Sequence, residues 1–332
     1  MARRVLVTGG AGFIGSNIVA ELAARGGFEI AVCDRLRAVD GGKWRNLAKH
    51  AIDDFIAPED LSAWLGGRGR DVAIVIHMGA ISSTMEADAD KIVHINFSLS
   101  RDLHDWCAAS GRRFIYASSA ATYGAGEHGF DDRSDLDFLT ALRPLNAYGW
   151  SKALFDILVA RRAAAAAAPP QSVGLKFFNV YGPNEGHKGA MRSMAAQMWP
   201  GVAAGEAVRL FKSCREPWGH GAQERDFVDV RDAAAIALWF VDHADVSGLF
   251  NVGSGEARSF NDLARAVFTA AGRPARIDYI DMPEAIRETY QYHTRAPMDR
   301  LRAAGYAAPL ATIDEGVADY VRRYLSREDP YR

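Results

Sequence analysis

Glycine spacing near the N terminus constrains this chain more than any other feature. The stretch Val5-Leu-Val-Thr-Gly-Gly-Ala-Gly-Phe-Ile-Gly15 opens with an apolar run that reads as a buried strand. Gly9, Gly12 and Gly15 then recur at three-residue spacing, and residues 16–25 carry a helical pattern. A strand that turns so abruptly into a helix needs residues that tolerate unusual dihedrals and close backbone approach. The turn also aims the unpaired N–H groups of the helix N-terminus at whatever lies beyond the strand end. A pyrophosphate suits that geometry, so the expected ligand is a dinucleotide held by Gly9, Gly12, Phe13, Ile14 and Gly15. A glycine-rich turn without a ligand would use the same residues, but the flanking strand and helix favour binding.

Beyond the turn, short apolar runs alternate with helical patterns. Strands are expected at residues 30–33, 72–76, 114–117 and 173–177, and helices near 59–65, 90–109 and 148–167. This alternation predicts an α/β chain with a Rossmann-type, doubly wound parallel sheet. The alanine run at 163–168 is expected to be an exposed helix end, stopped by Pro169 and Pro170. After Val180 the pattern loosens. Gly182, Pro183 and Gly186 mark a loop, residues 191–205 look helical, and 214–223 read as a longer loop. Strands at 227–230 and 249–252 and helices at 259–271 and 313–324 follow. The expected division is a dinucleotide-binding domain over 1–178, rejoined by segments near 226–255, and a smaller substrate-binding lobe over 179–332.

Composition removes several function classes. With 332 residues the chain can bury a sizeable core, and a formal net charge of −2 without a long basic block argues against nucleic acid as a partner. No apolar run is long enough to span a bilayer, and no export signal precedes the first strand, so neither membrane association nor secretion is expected. Cys33, Cys107 and Cys214 are odd in number and scattered, which fits neither a disulfide framework nor a zinc site. The expectation is a cytoplasmic protein without a resident metal.

Tyr148-Gly-Trp-Ser-Lys152 places a phenol and an ammonium four residues apart, on one face of a helix. A free tyrosine, with a pKa of about 10, is a poor base at neutral pH, and a nearby cation favours its phenolate. Ser119, in Tyr116-Ala-Ser-Ser-Ala-Ala-Thr-Tyr123, follows a strand, where its hydroxyl could hold a substrate oxygen while Tyr148 moves the proton. A Tyr-x-x-x-Lys pair alone is common on helix surfaces. Its order after the glycine turn and the paired serines makes it informative.

These residues together resemble the extended short-chain dehydrogenase/reductases. Gly12-Phe-Ile-Gly-Ser-Asn17, Ala117-Ser-Ser-Ala-Ala-Thr-Tyr-Gly124, Phe178-Asn-Val-Tyr-Gly-Pro183, Glu185-Gly-His-Lys-Gly189, Arg225-Asp-Phe-Val228 and Leu301-Arg-Ala-Ala-Gly-Tyr306 are similar to the ADP-glyceromanno-heptose 6-epimerase family within them. The likeness runs nearly end to end. It implies epimerisation of an ADP-heptose at C6 by transient oxidation and re-reduction, with no net consumption of cofactor. Lys188 then matches a second acid/base, opposite Tyr148. From the sequence alone it would be an ordinary loop lysine. The resemblance also implies a homo-oligomer and a role in bacterial surface-polysaccharide heptose.

Asp34-Arg35-Leu36-Arg37 ends the second expected strand. An acid there normally accepts a ribose 2′-hydroxyl, whereas a neighbouring arginine suits a 2′-phosphate, so the local signal is mixed. Lys43 matches a family position near the 2′-phosphate, which tips the expectation to NADP, with NAD possible. Asp54 falls where the third strand would flank adenine. Gly79, Ala80 and Ser82 follow the fourth strand, and Asn96, Val180 and Lys188 match cofactor-contacting positions. His77 has no partner at metal-ligand spacing and reads as structural.

On the substrate side, Asn179 follows a strand, and Arg225 offers a guanidinium fork to a diphosphate unless it pairs with Asp226 or Asp229. Phe211 and Tyr290 match nucleotide- and sugar-contacting positions, although either aromatic could be core. Ala190 and Gln197 depart from the serine and histidine of some family members, and the 212–224 loop is longer than in compact ones. The departures bear on which nucleotide-sugar is bound. A 4,6-dehydratase or reductase on the same fold is the competing activity, but Ser119-Ala-Ala-Thr122 lacks the acidic residues that drive elimination. A non-catalytic cofactor sensor would be expected to lose Tyr148 or Lys152, and both are present.

Overall fold

The computed structural model describes residues 2–37, 42–84, 86–287 and 290–332. Its strands, in chain order, are β1 (Arg3–Thr8), β2 (Phe28–Cys33), β3 (Asp54–Ile56), β4 (Ile74–His77), β5 (Arg113–Ser119), β6 (Ser172–Phe177), β7 (Asn179–Tyr181), β8 (Val208–Phe211), β9 (Glu224–Asp229), β10 (Gly248–Val252), β11 (Ala257–Ser259) and β12 (Ile277–Ile280). Seven of them form one sheet in the order β10-β6-β5-β4-β1-β2-β3, and every neighbouring pair is parallel. The doubly wound parallel sheet expected from the alternating pattern is present.

Both faces of the sheet are covered, which is why its strands are nearly continuous apolar runs. Val5 and Val7 point to one layer with Ile18 and Leu22 of the helix Phe13–Arg25 and with Ile236 and Phe240 of the helix Val230–Asp242. Leu6 points to the other layer, with Leu103 and Cys107 of the helix Leu99–Ser110 and Phe155 of the helix Ala147–Ala164. The sheet grows in opposite directions from the β1–β4 pair, and ligands of such sheets gather at the carboxyl ends of the strands at this switch point.

A three-stranded sheet in the order β11-β9-β7 and a two-stranded one, β12-β8, lie outside the main sheet. Their core collects Leu210, Phe227, Leu263, Phe268, Val317 and Tyr320. No helix among the described residues is long and apolar enough to cross a membrane. Cys33 and Cys107 are buried and Cys214 is exposed, all three as free thiols.

Some boundaries differ from expectation for physical reasons. The first helix begins at Phe13 rather than Ser16, because Gly12 is extended and caps it, drawing the third glycine of the turn into the first helical turn. The expected helix near 90–109 is three abutting pieces, Ala89–Ile92, Val93–Ser98 and Leu99–Ser110, of which the middle one is wound more widely. The alanine tract stops being helical at Ala164, and Ala166 takes a positive φ of 53° before the prolines.

Candidate active site

Where β1, β4 and β5 end, the surface sinks into a cavity of about 320 Å³. One wall is the glycine turn. Gly9 has a φ of +65°, and a Cβ there would stand 2.6 Å from the Gly79 amide nitrogen. A Cβ on Gly15 would stand 2.2 Å from the Gly9 carbonyl oxygen, and one on Gly12 3.0 Å from the same atom. The turn is therefore closed tightly on itself and on the loop after β4. The first amide to bond within the helix is that of Ser16, donating to the Gly12 carbonyl at 3.0 Å. The N–H groups before it have no helical partner, and the first turn carries no acidic side chain. Phe13, Ile14 and Gly15 line the cavity beside these donors, so the residues present fit a pyrophosphate.

Asp34 and Lys43 close the cavity on the β2 side. The Asp34 carboxylate accepts from the Ala11 amide at 2.9 Å, the Arg35 amide at 2.6 Å and Lys43 Nζ at 2.6 Å. An acid that would otherwise repel phosphate is thus neutralised by a half-buried cation. The Arg35 side chain turns outward to Glu59 in an exposed pair, away from the cavity. Asp54 stands apart as well. It starts β3, accepts from Trp64 Nε1 at 2.8 Å and pairs with Arg68 at 3.1 Å. Gly79, Ala80 and Ser82 line the cavity opposite the glycines. Asn96 lies behind them, buried, and clamps Ile81 by accepting from its amide at 2.8 Å and donating to its carbonyl at 3.0 Å. His77 is buried between Thr8 and Ser100, at 2.6 and 2.8 Å, and burial beside the Lys152 charge pushes its pKa down to about 3.

Ser119, Tyr148 and Lys152 line the cavity together. Ser119 is the last residue of β5, and Tyr148 and Lys152 sit in the first turns of the helix capped by Asn146, whose side chain accepts from the Gly149 amide. Burial raises the Tyr148 pKa, and a hydrogen bond with Ser119 opposes the rise. Lys152, one turn beyond Tyr148, is the cation expected to favour the phenolate. In the structure Lys152 Nζ donates to the Ala117 carbonyl at 2.7 Å, and the contact that eases ionisation of the phenol is Ser119. Burial lowers the Lys152 pKa to about 8, partly offset by Asp156.

Lys188 enters from the far side, with Val180 and His187. Its Nζ lies 5.0 Å from the centre of the Phe13 ring, and burial lowers its pKa against the opposing pull of Glu185. Glu185, quoted above only as part of a motif, and Asn46, which nothing in the sequence singled out, hold this loop. Glu185, buried, accepts from the Ser193 amide, from Ser193 Oγ at 2.6 Å and from Tyr320 OH at 3.1 Å. Asn46, buried, donates to the Ala11 carbonyl at 2.9 Å and the Asn184 carbonyl at 3.1 Å, tying the loop to the glycine turn. His187 stays neutral, its pKa pushed down to about 4 by burial and then by Lys43 and Lys188.

Of the expected substrate contacts Ser119 lines this cavity, Arg225, Phe211 and Tyr290 gather outside its lining, and Asn179, Ala190 and Gln197 are not brought together with them. Arg225 is buried with its guanidinium carbon 5.4 Å from the Tyr290 ring centre and 5.6 Å from that of Phe260, while Phe211 and Tyr290 meet edge to face at 6.1 Å. Asp226 and Asp229 do not pair with it. The first accepts from Ser254, Gly255 and Ala296 amides, and the second binds Arg231. Among the described residues no carboxylate pairs with Arg225, whose Nη1 donates to the Glu224 carbonyl at 2.7 Å. Ala190 and Gln197 are exposed neighbours, joined by a 3.2 Å hydrogen bond from Gln197 to the Ala190 carbonyl. Asn179 is exposed at the start of β7.

A parallel sheet, a glycine turn at its switch point and a Ser–Tyr–Lys group on one wall define a dinucleotide-dependent enzyme fold, and residues 5–253 match the model of the NAD dependent epimerase/dehydratase family. The chain belongs to that family. Within it, the chain is 44% identical over 328 residues to ADP-L-glycero-D-manno-heptose-6-epimerase of Nitratidesulfovibrio vulgaris, covering 98% of this chain and 99% of that one. The crystal structure of the Helicobacter pylori enzyme of the same name superposes with a TM-score of 0.78 at 26% identity, over 97% of this chain and 96% of that one. The Thermus thermophilus UDP-glucose 4-epimerase in complex with NAD gives a TM-score of 0.72 at 27% identity, over 96% and 97%.

Proposed function

We propose that this chain epimerises ADP-D-glycero-D-manno-heptose to ADP-L-glycero-D-manno-heptose at C6, with a tightly held NADP. The observation that carries this reading is the pairing of two proton-handling groups, Tyr148 and Lys188, within one cavity against the glycine turn. Similarity to the 6-epimerases over nearly the whole chain supports the substrate. When bound, the dinucleotide supplies reversible acceptance of hydride from the substrate carbon.

The protein groups handle the proton and the geometry. Gly9, Gly12, Phe13, Ile14 and Gly15 would hold the pyrophosphate, and Gly79, Ala80, Ser82 and Val180 the rest of the dinucleotide. Arg225 would pair with the substrate diphosphate, with Phe211 and Tyr290 around the nucleotide and sugar. Ser119 donates to the substrate oxygen as the carbonyl forms and is reduced again. Burial keeps the proton on Tyr148 and favours its loss from Lys188. Lys188 is therefore the better base at the oxygen of one epimer, and Tyr148 the better acid at the oxygen of the other. After the carbonyl group turns over, the alcohol forms with the opposite configuration. In the reverse direction the two exchange roles, as microscopic reversibility requires.

NADP is favoured over NAD because Lys43 pairs with Asp34, the carboxylate that follows β2. Purified protein incubated with the D-glycero substrate and no added cofactor tests the whole reading by proton NMR of C6. An equilibrium mixture of both epimers is expected. No conversion, with NADP or NAD supplied, would overturn it.

A further inference from the structure

Behind the Ser–Tyr–Lys group lies an ion pair that the reaction itself does not touch. Lys176 of β6 and Asp156 of the helix Ala147–Ala164 are fully buried, with Nζ and Oδ2 2.7 Å apart. Asp156 follows Tyr148 and Lys152 at four-residue steps, on the same helix face. Its carboxylate accepts from Ser118 Oγ at 2.7 Å and from Tyr116 OH at 3.0 Å, both on β5. Lys176 Nζ also donates to Thr122 Oγ1 at 2.7 Å, and that hydroxyl donates to the Ser119 carbonyl at 2.8 Å. Ser119 is thus bracketed: its chain neighbour Ser118 is fixed to the anion, and its own carbonyl is fixed, through Thr122, to the cation.

We propose that Asp156 and Lys176 are positioning residues, fastening the end of β5 that carries Ser119 to the helix that carries Tyr148 and Lys152. The inference rests on the roles given above to Ser119, as donor to the substrate oxygen, and Tyr148, as acid. A buried ion pair is a poor source of stability compared with apolar side chains of similar volume, so its presence here calls for another reason. Holding one hydroxyl against one phenol is such a reason, because small misplacements of reacting groups cost rate steeply. The pair also bears on Lys152. Among the described residues, the groups that bear on that ammonium are Asp156 on its own helix, the Ala117 carbonyl on β5 and neutral His77 on β4. Asp156 is the anion in this set, and it opposes the loss of the Lys152 proton.

The deciding variant is Asp156→Asn combined with Lys176→Met, which removes both charges at nearly constant volume and leaves Ser118 and Tyr116 an amide partner. The expected result is a folded protein that keeps its dinucleotide occupancy and its KM, with kcat lower by about tenfold or more. The Asp156 charge also helps to hold the proton on Tyr148, so Asp156→Asn alone is expected to move the alkaline limb of the kcat profile, set by that acid, to lower pH, a change that a merely structural pair would not produce. Wild-type kcat in the folded double variant, or an unmoved limb in Asp156→Asn, overturns the proposal, and the limb alone decides should the double variant not fold. Tyr148→Phe, run beside them, reports on the underlying reading. Normal turnover in that variant removes the proton-transfer role and the positioning role with it, whereas its loss beside an active double variant removes the positioning role alone.

Discussion

Lys152 should make this protein more stable as the solution becomes more alkaline, and by an amount that the structure sets. Its ammonium is buried with one carbonyl partner, Ala117, and its pKa falls from 10.5 to about 8 in the folded protein. The unfolded chain keeps the ordinary value. Below pH 8 both states hold the proton, and the folded state bears the full cost of burying the charge. Between pH 8 and 10.5 the unfolded state holds more protons than the folded one, so stability rises with pH. At about 1.4 kcal/mol per pH unit, the gap of about 2.5 units corresponds to about 3 kcal/mol. Lys152→Met keeps the aliphatic stem and removes the titration. Urea unfolding of both proteins at several pH values between 7 and 10.5, before addition of any dinucleotide, isolates this group, because other titrations cancel in the difference. The stability of the wild type relative to Lys152→Met should climb by about 3 kcal/mol across that range. Parallel profiles would refute the reasoning, and a difference that falls with pH would reverse its sign.

Other perturbations separate the remaining parts of the site. Lys188→Ala should abolish most epimerisation while leaving dinucleotide bound, read by turnover and by absorbance of the purified protein; near-normal turnover would remove the second acid/base. Lys43→Ala frees the Asp34 carboxylate and should shift preference from NADP toward NAD by about tenfold or more, measured as a ratio of dissociation constants. Arg225→Ala should raise KM with little change in dinucleotide affinity, since the guanidinium lies with Phe211 and Tyr290 rather than in the glycine cavity. Gly15→Ala drives a Cβ to 2.2 Å from the Gly9 carbonyl and should weaken dinucleotide binding and lower the melting temperature, both more than Gly12→Ala, whose Cβ meets the same atom at 3.0 Å.

Much of the architecture could be read from the chain because parallel strands buried on both faces leave an unmistakable apolar run before each turn. The glycine turn was equally legible, since only glycine satisfies Gly9 at φ +65° and Gly15 against its own carbonyl. The charged interior was not. Lys176 shares one face of β6 with Ser172 and Gly174, a pattern that reads as a solvated strand face until both faces are known to be covered. Asp156 looks like an ordinary exposed helix carboxylate for the same reason. Lys188 reads as a loop lysine, and its burial follows from Asn46 and Glu185 folding residues 182–193 over the first helix, contacts spanning more than a hundred residues in the case of Asn46 and Asn184. Asp54, expected where the third strand would flank adenine, instead meets Trp64 and Arg68, partners 10 and 14 residues further along the chain.

The most direct test of an internal redox cycle with two proton-handling groups is the fate of the C6 hydrogen. ADP-D-glycero-D-manno-heptose carrying deuterium at C6, incubated with the purified protein in ordinary water, should give the L-glycero epimer with the deuterium still on C6. Inversion with loss of the label to solvent would contradict the account, because the hydrogen would then have left as a proton.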